Sequence, residues 1–263
     1  MIRLARIELL KLTTIRTGYL LLASAAAITA LFSILEAALS GGVGANKPAP
    51  VYTVTGFHDV AEGGIWTMIF AAVLGVTIAT GEYRFRTATL TYLAVPARSK
   101  VLAAKAAVGA MAGAVFTLAG FVISYGAATG VVLSRGHRIP VGDLELARLG
   151  AGYLVAGALM GAIGVCVGAL IKSQLAAVVG VLIWALIVES VAGGLYHPIW
   201  PYLPYTAVTT LAGIAVGGGA FGPAHGGVNG APLPFFAAAA LVAAVAAVFA
   251  AIASRTTLRA DIS

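Results

Sequence analysis

Residues 81–105, GEYRFRTATLTYLAVPARSKVLAAK, decide how this chain is organised. The stretch holds Arg84, Arg86, Arg98, Lys100 and Lys105, five of the sixteen basic residues. It lies between residues 63–80 and 106–133, two segments with no charged residue. Each flanking segment is apolar and of the length that crosses a bilayer, about 20 residues. A charged hairpin carrying Pro96 between two such segments belongs at a membrane face, and its basic excess indicates the cytoplasmic one.

Composition supports the same reading. The chain is 60% hydrophobic and 10% charged, with mean hydropathy +1.01. Soluble domains carry about 25% charged residues, so the expected class is all-α: a polytopic membrane protein. The formal charge of +7 then reports topology and contact with anionic membrane lipids rather than nucleic acid. The lone Cys166 lies in an apolar run and permits no disulfide within the chain. Arg3, Arg6, Lys11 and Arg16 precede an apolar run too long for the core of a secretory signal, so that run reads as the first span.

Working outward, six spans are expected at 19–39, 63–80, 106–133, 149–171, 175–195 and 233–254, with a tail at 255–263. Residues 206–219 are apolar but short, glycine-rich and framed by Pro201, Pro204 and Pro223, which suits an interfacial or re-entrant piece. Six spans place both termini on one side. That side carries four basic residues before the first span, five in the hairpin, Lys172, Arg255 and Arg259, twelve in all. Lys47, Arg135, Arg138 and Arg148 make four on the other. The positive-inside rule assigns both termini to the cytoplasm.

Residues 1–18 interleave Arg3, Arg6, Glu8, Lys11 and Arg16 with Ile2, Leu4, Ile7, Leu10 and Leu12. The aliphatics are expected to line much of one face of a helix lying in the interface. Gly41 to Glu62 reads as a polar connection. Tyr196, Trp200, Tyr202 and Tyr205 suit the headgroup belt.

Motifs with direct chemistry are absent. There is no Gly-x-x-x-x-Gly-Lys-Ser/Thr phosphate loop and no His/Cys pattern of metal-ligand spacing, so neither a catalytic nor a metal site is expected. His58, His137, His197 and His225 fall in exterior loops. The pairs Gly109/Gly113, Gly126/Gly130, Gly157/Gly161 and Gly164/Gly168 let helix backbones approach closely. Glu189 lies inside the fifth apolar run, where a charge costs about 2.5 kcal/mol or more. It must face protein or water, either as a substrate or gating contact or as an interhelical hydrogen bond.

In the hairpin, Phe85, Leu90, Tyr92, Leu93 and Val95 supply an apolar component that Pro96 ends. Glu82, Arg84 and Thr87, then Leu93-Ala94-Val95-Pro96, Arg98 and Lys105, resemble the first cytoplasmic loop of ABC-2-type ABC transporter permeases. Glu8-Leu9-Leu10-Lys11-Leu12 with Arg16 resembles the family's opening, and Tyr202-Leu203-Pro204 after the fifth span fits as well. Where relatives often carry Gly before the Thr, this chain has Arg86. The resemblance implies one half of a bacterial cell-membrane exporter for a hydrophobic or amphipathic substrate. Its partners would be a second permease half and two copies of a P-loop ATPase, which hold the ATP and Mg. A cytoplasmic coupling helix would include Glu82, Arg84, Phe85, Thr87, Leu90, Tyr92, Pro96 and Arg98. Two other classes remain open. One is a non-transporting membrane scaffold or immunity protein. The other is an intramembrane enzyme using Glu189 with His197 or another loop histidine.

Overall fold

The computed structural model describes residues 2–40, 49–85, 87, 95, 97–214 and 233–256. All regular structure among them is helical: α1 (Ile2–Thr14), α2 (Arg16–Leu39), α3 (Val54–Ala61), α4 (Trp66–Arg84), α5 (Arg98–Ser134), α6 (Asp143–Ile171), α7 (Gln174–Ile183), α8 (Glu189–Leu195), α9 (Pro204–Leu211) and α10 (Phe235–Thr256). Six helical segments are long and apolar enough to cross a membrane: Arg16–Leu39, Val54–Arg84, Ser99–Ser134, Asp143–Ile171, Gln174–Leu195 and Phe235–Arg255. The chain is therefore compatible with a multi-pass membrane protein.

Several helices run past the uncharged segments. The second begins at Val54 rather than at residue 63, because Thr53 caps α3 by accepting from Gly56 N at 3.2 Å. Phe57, Val60 and Ala61 are then buried, and a 3-10 turn at Glu62–Ile65 leads directly into α4. The expected polar connection is thus helical from Val54 onward, its residues 41–48 lying outside the described ones, and His58 lies on α3 rather than in a loop. The third helix begins at Arg98 rather than residue 106, and the fourth at Asp143 rather than 149. Asp143 and Glu145 in the first turn of α6 suit its positive N-terminal dipole. Among its described residues, the segment 206–219 carries the last six residues of the eight-residue α9, which begins at Pro204 and is about 12 Å long. That is too short to span, and residues 215–219 lie outside the described ones.

α4 and α6 form the centre. α6 packs against α4, α5 and α10, and α9 and α7 join it at opposite ends. Glycine makes the close approach possible. A Cβ on Gly113 would lie 2.1 Å from Gly157 O, and one on Gly164 would lie 2.0 Å from Ala72 O. With no side chain in the way, the backbones touch along α6's length. Thr117 Oγ1 donates across that seam to Tyr153 O at 2.6 Å.

At one end of the bundle, Ala79, Leu102, Val165, Ala169 and Ala253 pack together. This hairpin end gathers the end of α4, the start of α5, the end of α6 and the end of α10, with α1 beside α5. The helices place α1 and the end of α10 on the same side, as an even number of spans requires. At the far end, Arg135 donates to Ala37 O at 3.1 Å. A cation there complements the negative C-terminal dipole of α2.

Candidate functional site at the hairpin end

Four charged side chains from three helices meet where the hairpin leaves the bundle. Glu8 of α1 is buried, as are Glu82 of α4 and Lys105 of α5. Lys11 Nζ lies 2.9 Å from Glu8 Oε1 and 2.8 Å from Glu82 Oε1. Lys105 Nζ lies 2.8 Å from Glu8 Oε2 and 3.0 Å from Glu82 Oε1. The charges alternate around a closed ring, so each carboxylate meets both ammoniums and the ring is neutral. Buried charges persist in a protein only when paired in this way. Burial pulls Lys11 down, but its hydrogen bonds to Glu82 and Glu8 outweigh that and hold its pKa above the ordinary lysine value. Lys11 therefore keeps its charge at neutral pH.

The ring determines how α1 sits. Glu8 is buried, and Leu4, Lys11 and Leu12 turn partly inward beside it. Ile7 and Leu10 face outward, 50% and 56% exposed, beside exposed Arg3 and Arg6. The expected single aliphatic face is thus divided: the charged side docks on the bundle and half of the aliphatics point away. Arg16 is exposed at the start of α2, just past the extended bend at Ile15.

The hairpin's N-terminal root is tied by backbone bonds. Phe85 N donates to Gly81 O at 3.0 Å and Thr87 N to Glu82 O at 2.9 Å. Arg84 is exposed; its Nη1 donates to Gln174 Oε1 at 3.2 Å, and its guanidinium lies 5.6 Å from the Phe85 ring centroid. Leu90, Tyr92 and Pro96, and with them the expected coupling helix, lie outside the described residues. Arg98 opens α5. Of the expected site residues, the structure thus brings Glu8, Lys11 and Glu82 into one ring, with Arg84 and Phe85 beside it. Lys105 completes the ring, a role its own sequence context does not single out. The signal available for it is a single lysine at the edge of a long uncharged run, which at helical depth requires an acidic partner.

Glu189 occupies a second polar centre. A π-helical turn at Trp184–Val188 interrupts the fifth span just before it, a distortion that re-aims the side chains that follow. Glu189 is buried. It accepts from Trp184 Nε1, from Tyr205 N at 2.8 Å, from Thr206 N at 3.0 Å and from Thr206 Oγ1 at 3.3 Å. Tyr205 and Thr206 begin α9, so Glu189 caps that helix from the fifth span and complements its dipole. This is the geometry of an interhelical hydrogen bond. None of these bonds involves His197, which is exposed. Glu189→Ala is expected to destabilise by about 2–4 kcal/mol, since it strands buried N–H groups. Glu189→Gln should cost less than half of that. Thermal midpoints of the two purified variants check the order, and equal midpoints would contradict the capping role.

Among the described residues no group of three His, Cys, Asp or Glu is placed to hold a metal ion. Comparison with protein-family models, with curated proteins and with solved structures finds no match to this chain.

Proposed function

We propose that this chain is the permease half of an ATP-driven exporter of the ABC-2 type. It sits in a bacterial cell membrane with both termini cytoplasmic, pairs with a second permease half and is driven by two copies of a P-loop ATPase. Catalysis falls to the ATPase, which holds ATP and Mg. The substrate is a hydrophobic or amphipathic molecule, such as a drug, an antibiotic or a lipid-linked compound.

The observation that supports this reading is the ion-pair ring. Glu82 stands at the end of α4 and Lys105 in the second turn of α5, so the ring fastens both roots of the hairpin. Glu8 and Lys11 fasten α1 to the same point. A force applied to the hairpin is then delivered to α1, α4 and α5 together rather than absorbed by loose loop ends. α4 and α5 both pack on α6, so the displacement reaches the centre of the bundle. A coupling device requires that stiffness, whereas a passive connection between spans does not.

The test is biochemical. The chain purified in mild detergent is expected to retain a P-loop ATPase in equimolar amount, and the reconstituted complex to hydrolyse ATP. Leu90→Asp places a charge in the hairpin's apolar component and should release the ATPase while leaving the chain's own thermal midpoint unchanged. An intact chain that never holds an ATPase would overturn the proposal, as would full retention of the ATPase by Leu90→Asp.

A further inference from the structure

Beside the ion-pair ring lies a cavity of about 330 Å³. It is lined by α1, the bend at Ile15 and the start of α2, by the end of α4, by Lys105 of α5 and by Gln174 at the start of α7. Its walls are mostly apolar, with Leu12, Ile15, Ile78 and Phe85 prominent, and Lys11 and Arg84 stand among them. We propose that this cavity binds the headgroup of an anionic glycerophospholipid from the surrounding leaflet. The proposal rests on the membrane-spanning reading of the helices and is independent of the transporter assignment.

Charge complementarity points to that occupant. The cavity is lined by two carboxylates, Glu8 and Glu82, and by three cations, Lys11, Lys105 and Arg84. Both carboxylates are buried and already engaged by the two lysines. The ring is neutral, so Arg84 is the excess charge. Its guanidinium has five N–H donors, and among the described residues it donates to the neutral amide of Gln174. Lys11 is the open corner of the ring, with 42% of its side chain exposed against 6% for Lys105. Two of its three protons are used by Glu8 and Glu82, which leaves one to donate. A phosphodiester between Lys11 and Arg84 would meet donors from both, in charge-assisted hydrogen bonds.

Position and shape favour a lipid over a soluble anion. The site lies at the end of the apolar stretches of α2 and α4, where the headgroup layer meets the hydrocarbon. Its apolar walls would cover glycerol and the first acyl carbons, which free phosphate lacks. Basic pockets between spans at a membrane face bind anionic headgroups for the same reasons.

Lipid-dependent thermal unfolding of the whole chain in detergent tests this without any ATPase. Phosphatidylglycerol is expected to raise the midpoint saturably, by about 5 °C at a large excess over the dissociation constant. Phosphatidylcholine and inorganic phosphate should leave it within about 1 °C. Arg84→Gln, at an exposed position, should abolish most of the rise. Gly18→Phe should abolish it by filling the cavity: a Cβ at Gly18 would stand 3.5 Å from Leu12 O and 3.8 Å from Leu12 Cδ1, ordinary contacts that spare the fold. Arg138→Gln, past the other end of α5, should keep the full rise. An equal rise with phosphatidylcholine or inorganic phosphate would overturn the proposal. So would a phosphatidylglycerol rise that survives in both cavity variants.

Discussion

Lys105→Met is expected to lower the thermal midpoint of the purified chain by roughly 10 °C, the equivalent of about 3–5 kcal/mol. Lys105 is 4% exposed, and its ammonium lies 2.8 Å from Glu8 and 3.0 Å from Glu82. Methionine fills nearly the same volume, so packing changes little and the loss is electrostatic. Two buried carboxylates then share Lys11 alone. An uncompensated buried charge is the costly outcome of breaking such a pair. Lys11→Met should cost less, because Lys11 is the more exposed corner and solvent screens what it leaves behind. Pairing Lys105→Met with Glu82→Gln should recover part of the loss, since it removes the stranded charge. Midpoints of the wild type, the single variants and the double variant at one heating rate form a cycle that isolates the coupling. Strict additivity within about 0.5 kcal/mol would show that the ring is not an energetic unit.

The ring also marks where sequence reasoning stops. Six spans were legible because long uncharged segments have one use in a chain this apolar. Their bounds were not, because the helices continue through charged residues whose partners lie far away in sequence. Lys11 reaches Glu82 across 71 positions and Lys105 reaches Glu8 across 97. No local pattern encodes those pairings, so the sequence places Glu82 and Lys105 in a hairpin at the membrane face and does not reveal that they are buried together. Glu189 was legible as a charge at membrane depth. Its main partners were not, because two of them are backbone N–H groups of α9, whose position only the fold sets. α1 was legible as a helix by its alternation of charges and aliphatics. Its docked face was not, because Glu8 goes inward while Ile7 and Leu10 face outward. The hairpin's central residues, on which the resemblance most depends, lie outside the described ones.

Glycine spacing shows the same limit and supplies the other large effect. Gly157/Gly161 and Gly126/Gly130 are the same pattern in sequence, yet opposite results are expected from them. A Cβ at Gly161 would stand 2.1 Å from Gly109 O and 2.8 Å from Gly109 C, both backbone atoms of the facing helix. On α4, a Cβ at Gly75 would meet Gly161 O at 2.2 Å, so α6 is held from two sides at this level. Backbone cannot rotate aside as a side-chain tip does, and close-packed interiors have no slack to absorb the insertion. Gly161→Leu must therefore part α5 from α6, and is expected to cost more than about 3 kcal/mol, beyond ordinary overpacking. Little folded protein should survive extraction. At Gly126 and Gly130, by contrast, a Cβ would meet nothing within 4 Å. Gly126→Leu should fold normally and gain up to about 1 kcal/mol of helix propensity. Size-exclusion profiles and thermal midpoints of the two variants make the comparison. A monodisperse Gly161→Leu with the wild-type midpoint would refute the central helix contact. Collapse of Gly126→Leu would show that this face of α5 is covered by another chain rather than by lipid.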